Sequence, residues 1–226
     1  MTIPRQLHLH APNHTPILQL YQTPVQELNT LRNKHYTLKH STTVKVKQGQ
    51  QQLVQQRLGF QGGKTFEFHT VLRVTEQLPT EVKFHIRSTP DKSEGLVFGV
   101  KVKSTYPADE ICDKPRGNTV YSDRRHAGIV DFHQHFPSIQ TICLPLLNGN
   151  LIELHFFVDN SSVEAFIADG LLTVTESFFP TPNKDNHYFF MEVVEGEIEV
   201  VKMNLWVQDL SKIQSAQMHF KGDHKH

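Results

Sequence analysis

Asp131, His133 and His135 stand at i, i+2 and i+4. On a strand that spacing puts all three on one face, the donor types of a His₂Asp metal site. No fourth ligand is evident, and Pro137 ends any strand there. Phe132 and Phe136 suit a solvent-facing loop anchored by its aromatic rings, so no metal is assigned. His219, His224 and His226 lie in a polar terminal stretch and are read as a frayed tail. Asp159 and Glu164 flank Asn160-Ser161-Ser162-Val163. Across a hairpin two carboxylates approach each other, and a retaining glycosidase needs its pair about 5–5.5 Å apart. The structural alternative makes Asp159 a turn cap assisted by Ser161 or Ser162, with Glu164 facing solvent or holding loop amides. That alternative is preferred, because a hairpin displays such residues on a surface. Cys143 beside a histidine would make a thiol dyad, but Thr141-Ile142-Cys143-Leu144 suits a buried, inert cysteine. Trp206 could stack on a sugar, and a core position is the expectation. P-loop, dinucleotide, G-x-S-x-G and H-E-x-x-H patterns are all missing. No catalytic, cofactor-binding or metal-ligating residue is assigned, and no cofactor is expected.

The elements that must position these residues show a period of two. Phe66-Glu67-Phe68-His69, Val82-Lys83-Phe84-His85-Ile86 and Phe98-Gly99-Val100-Lys101-Val102 alternate, the mark of strands with one face on a core. Further apolar stretches cover 151–158, 163–167, 171–174, 188–194 and 198–207. Turn signals separate them, among them Asp159-Asn160-Ser161, Ala168-Asp169-Gly170 and Glu195-Gly196. The pattern predicts an all-β sandwich or barrel. One short helix is expected over 24–31, with Thr23 as N-cap, Pro24 at the first position and Val25, Leu28 and Leu31 on one face. Segment 45–56 reads as a loop or edge strand, and 106–118 as an exposed loop.

The 226 residues suffice for one large domain or two small ones, at roughly 150 per domain. Lys+Arg and Asp+Glu are both 23, so no basic excess marks a general nucleic-acid binder. Two cysteines exclude a disulfide scaffold, and whether Cys112 and Cys143 pair is left open. No apolar run approaches the roughly 18 residues of a membrane helix. Met1-Thr2-Ile3-Pro4-Arg5 has no signal-peptide core, so a cytoplasmic location is expected. The N-x-S/T sites at Asn13 and Asn160 are then chance occurrences. Fifteen histidines make the charge sensitive to pH below about 6.5.

Longer stretches add a resemblance. Leu154-His155-Phe156-Phe157-Val158-Asp159-Asn160-Ser161-Ser162-Val163-Glu164-Ala165-Phe166 resembles the "L-x-I-F-V-D-x-S-S-V-E-x-F" signature of glycoside hydrolase family 32, the invertases, inulinases, levanases and sucrose-6-phosphate hydrolases. Asp169-Gly170 is similar to the turn that follows it. The stretch from Tyr121 to Phe132 resembles "Y-D-R-x-x-S-G-x-V-D-F", with Ala127 in place of serine. Met1-Thr2-Ile3-Pro4-Arg5-Gln6-Leu7 resembles the "M-T-L-P-R-E-L" stretch that closes the catalytic domain, and Gln22 to Leu28 resembles "Q-x-P-V-x-E-L". Ser177-Phe178-Phe179-Pro180 is similar to "S-R-I-Y-P", and Asn204-Leu205-Trp206 to the closing "L-x-I-W" strand.

The resemblance implies a chain from the family's C-terminal β-sandwich, which packs against a five-bladed propeller that holds the active site. The propeller's "W-M-N-D-P-N-G" and "R-D-P" motifs are not in this sequence, and Glu110-Ile111-Cys112 departs from the acid/base "Glu-Cys" pair by one inserted residue. The expected fold is a two-sheet antiparallel β-sandwich of jelly-roll or concanavalin-like type. Residues 1–35 form a lead-in, 36–213 the sandwich and 214–226 a polar tail. The expected function is that of a non-catalytic accessory module with a structural, dimerising or weak carbohydrate-binding role. Two rivals are part of a sucrose or fructan hydrolase completed by a separate propeller chain, and a lectin-like sugar binder. Possible partners are a second copy, a propeller or a carbohydrate, with no nucleic acid and no membrane.

Overall fold

A computed structural model describes residues 3–11, 18–38, 43–50, 54–75, 79–103, 117–144, 150–209 and 211. Asn13, Glu110, Cys112 and the 214–226 tail lie outside them. In chain order the strands are β1 (Arg5–His10), β2 (Gln19–Pro24), β3 (Arg32–Thr37), β4 (Val44–Lys47), β5 (Phe66–Val74), β6 (Thr80–Ser88) and β7 (Leu96–Val102). They continue as β8 (Thr119–Asp123), β9 (Ile139–Cys143), β10 (Leu151–Val158), β11 (Ser162–Ile167), β12 (Leu172–Ser177), β13 (Tyr188–Glu195) and β14 (Glu197–Gln208). Every strand pair is antiparallel.

Two sheets face each other. One runs β12-β11-β10-β5-β14-β3, with β4 also on β14; the other runs β13-β6-β7-β8-β9. The twelve-residue β14 carries β4 along its first half and β3 along its second, with β5 on its other side. The expected alternation sets the layers. Phe66, Phe68, Leu72 and Val74 of β5 point inward with Phe156 of β10. They meet Phe84, Phe98 and Phe189 from the opposing sheet, as in the Phe84–Phe156 and Phe98–Phe156 contacts at 5.3 and 4.9 Å between centroids. Burying side chains of this size dominates the energy that holds the sheets together.

One end of the sandwich is closed by buried polar groups. Arg87 donates to the Asn186 carbonyl and side chain and to the Asn160 carbonyl. Glu94 accepts from the Thr181 amide, Lys184 Nζ and Asn186 Nδ2. Burial pushes the Glu94 carboxyl up, but these donors outweigh it and leave it below the ordinary glutamate value.

Three expectations shift. The helix over 24–31 is a 3₁₀ turn at Gln26–Leu31, and Thr23 and Pro24 belong to β2 instead of capping it. Its start moves because Pro24 closes a strand as readily as it opens a helix. Segment 45–56 divides into the edge strand β4 and a π-helical turn at Val54–Leu58. Cys143 is only half-buried and is disulfide-bonded, not a free core thiol; the one other cysteine, Cys112, is outside the described residues.

Candidate functional site

β1 and β2 form a separate two-stranded ribbon laid against the outer face of the seven-stranded sheet. Three anchors hold it. Arg5 reaches the sheet face, where its guanidinium donates to Glu164 at 2.8 Å and to Thr173 and Thr175. It also lies 5.5 Å from the Phe166 ring centroid. The Ile3 amide donates to the other oxygen of Glu164. At the β11–β12 turn the Gln22 amide donates to the Gly170 carbonyl at 2.9 Å. Gly170 has φ +85, and a Cβ there would overlap the Gln22 backbone, so only glycine lets the ribbon come this close.

Beside these anchors an ion network spans three strands. Glu67 of β5 is fully buried and takes two hydrogen bonds from Arg32, at 2.7 and 2.5 Å. His155 Nε2 meets the same carboxylate at 2.7 Å, and His69 Nε2 meets Glu153 at 2.6 Å. The two imidazoles stack 4.8 Å apart. Burial pushes the Glu67 carboxyl up, yet Arg32 and His155 together hold it below the usual glutamate value. Burial lowers His155, and Glu67 offsets that only in part. Glu153 is lowered, first by His69. Trp206 lies on this outer face, not in the core: it stacks on His35 at 4.8 Å, with the Arg32 guanidinium 3.9 Å from its centroid. That arrangement occupies the ring and leaves it unsuited to a sugar.

Glu153 and Asp169 line a common cavity, with Thr23, His155 and Phe166 beside them. Its volume is ≈ 30 Å³, about the share of one water in the liquid, so no sugar ring enters. A larger groove of ≈ 590 Å³ runs between the ribbon and the turn, lined by His8, His10, Tyr21, Thr23 and Asp169. Burial and then Glu153 raise the Asp169 carboxyl.

The sequence candidates fall elsewhere. Asp159 and Glu164 have separate duties. Asp159 caps its turn through the Asn160 amide, whereas Glu164 is buried under the ribbon. Glu164 therefore does hold one amide, that of Ile3, but it does not face solvent. Asp131, His133 and His135 are exposed on a loop, and no group of three or more metal-ligating side chains among the described residues could hold an ion. Phe132 and Phe136 meet Phe179 through edge-on and tilted contacts in a partly exposed aromatic cluster. Glu67, His69 and Glu153 drew no attention in the sequence, because the polar half of an alternating strand reads as its water face.

The family model described as "Glycosyl hydrolases family 32 C terminal" matches residues 27–207. The chain belongs to this family and spans its C-terminal domain. The family 32 sandwich is 26% identical over 219 residues to a levanase from Bacillus sp. (strain L7), covering 94% of this chain and 21% of that protein. In structure it is similar to exo-inulinase from Aspergillus awamori, with a TM-score of 0.69 and 21% identity over 92% of this chain and 35% of the other. It is likewise similar to fructan 1-exohydrolase IIa from Cichorium intybus, at a TM-score of 0.66 and 15% identity over 92% and 41%. The chain thus spans about a fifth of the levanase it matches.

Proposed function

We propose that this domain is the non-catalytic sandwich of a fructan- or sucrose-hydrolysing enzyme, docked on a propeller that supplies the active site. One observation carries the reading. Leu9 stands opposite Leu20 across the ribbon, Leu7 follows on the same face, Leu18 lies just before β2, and all four are 46–68% exposed. Water-facing leucines in a row mark a surface that another body covers. Both ribbon edges also lack a strand partner among the described residues, and a lone two-stranded ribbon is marginal in water. A propeller blade would supply the missing strands and cover the leucines. Cleavage of the glycosidic bond needs an acid/base carboxyl and a nucleophile in one sugar-sized pocket, and the Glu153–Asp169 cavity is too small for that role.

The test is fructose release from sucrose, inulin and levan by the purified chain, with and without a separately expressed family 32 propeller. The expected result is no turnover alone and association on mixing, lost in a Leu7→Ser/Leu9→Ser variant. Turnover by the chain alone overturns the reading. Sedimentation velocity addresses the second reading, a homodimer that buries the same leucines.

A further inference from the structure

The five-stranded sheet has an outer face of its own, on the far side from the ribbon. Its centre is set by one glycine. Gly99 of β7 pairs with Tyr121 of β8, and a Cβ at Gly99 would overlap the Tyr121 ring. The ring therefore crosses β7 in the space a side chain would fill. Its hydroxyl reaches the next strand, donating to Glu81 Oε1 at 2.6 Å. A side chain that spans from β8 to β6, with strands about 4.8 Å apart, lies along the sheet and not upright on it. One ring face rests on the Gly99 backbone and the other faces outward. No ring or cation stacks on that outward face among the described residues.

Polar groups surround the ring at fixed positions. Lys101 Nζ and Lys83 Nζ lie 3.1 and 3.8 Å from the Glu81 carboxylate. Burial would raise that carboxyl, but the Tyr121 hydroxyl and Lys101 outweigh it and hold it ionised. Burial and Glu81 push the Tyr121 phenol up, so it stays a donor. Asp123 is held by Arg125 at 2.7 Å, and Lys92 by Glu192 at 2.7 Å. The same sheet face also carries a dip of ≈ 70 Å³ lined by His85, Lys92, Val97, Asp123 and His126, room for about two waters. The acids and bases here compensate one another, so the face has no strong field to draw an ion. It offers a pinned aromatic plane ringed by donors and acceptors.

We propose that this face binds a neutral oligosaccharide, with one sugar ring stacked on the outward face of Tyr121 and its hydroxyls hydrogen-bonded by Glu81, Lys83, Lys101 and Asp123. Apolar C–H faces of a sugar suit the ring, and hydroxyls suit the charged rim. The inference is independent of the propeller reading, since it concerns the opposite sheet. Both surfaces can be occupied at once.

The test is an NMR amide titration of the purified chain with fructo-oligosaccharides from inulin and levan, cellohexaose and xylohexaose, and with polygalacturonate as an anionic probe. The expected result is saturable shifts at Gly99, Lys101 and Thr141 with at least one neutral sugar. Tyr121→Ala weakens that binding by about tenfold, the range of an aromatic contact. Tyr121→Phe, which keeps the plane, retains most of it, and Phe132→Ala leaves it unchanged. Three results overturn the proposal: no saturable shift with any neutral sugar, shifts centred on the ribbon or on Phe132 and Phe179, or preference for polygalacturonate. Should Tyr121→Ala not fold, the wild-type shift map decides. Propeller association is measured without sugar, so either idea can fail alone.

Discussion

At the scale of single residues, Glu67 is the most demanding group in the molecule. It is a fully buried carboxylate whose charge is matched by Arg32 and hydrogen-bonded by His155. Removing one member of such a network leaves the other unpaired. Glu67→Gln is expected to cost about 2 kcal/mol, with Arg32's partial exposure moderating the loss. Urea midpoints of the two proteins check this, and a change within about 0.5 kcal/mol would mean the network contributes nothing net. His155 and His85 give a pH signature. Burial lowers both below the ordinary histidine value of 6.5. The unfolded chain therefore takes up protons first as pH falls. Their contribution is complete above about pH 6.5 and is lost as pH drops through the lowered folded values. The urea midpoint is expected to fall between pH 7.5 and pH 5.5, before glutamates titrate. His155→Gln should flatten that slope.

At the scale of elements, the ribbon hangs on a few contacts. Gly170→Ala adds a Cβ that meets the Gln22 backbone at a positive φ. The ribbon is expected to lift while the sandwich stays folded. Hydrogen exchange at the Gln22 amide should rise sharply, with protection of β5 and β10 unchanged; equal protection at Gln22 would show that the turn is not its anchor. This division also explains what the sequence could tell. β5, β6 and β7 are legible because apolar and polar residues alternate in them, and β10 because it is a mostly apolar run bounded by turn signals. β9, with Ile139-Gln140-Thr141-Ile142-Cys143, and β8 are not, being five residues long and at or near an edge. Leu7-His8-Leu9-His10 did alternate, but its apolar half faces water, which local pattern cannot foretell. The ion network escaped for the converse reason. Glu67, His69 and Glu153 look like a solvated face until Arg32 and the ribbon, distant in sequence, come to cover it. For Glu164 the hairpin motif points to solvent or loop amides, and it cannot show the ion-pair partner, Arg5, 159 positions away.

At the scale of the whole molecule, one aromatic core joins the two sheets. Phe156 touches Phe68 within its own sheet and Phe84 and Phe98 across the gap. Phe156→Ala is expected to cost about 3–5 kcal/mol, because the surrounding strands cannot collapse into the hole. Thermal unfolding should stay a single transition at a lower temperature. Two separate transitions would mean that the sheets are less coupled than this shared cluster implies.

The pairing of β14 with β5 has a consequence for how the molecule comes into being. Ile198 lies against Val74 and Val207 against Phe66, so the centre of the larger sheet joins residues more than a hundred positions apart. Such distant pairings pay their loop-closure entropy before any contact rewards it, which places the expected folding time in milliseconds to seconds. On a ribosome the seam cannot form until Gln208 has been synthesised. Until then β5, which has β10 on one side, has an unpaired edge on the other. The last strand is thus the clasp of the whole fold, and a nascent chain halted before it would be a substrate for chaperones, not a smaller version of the domain.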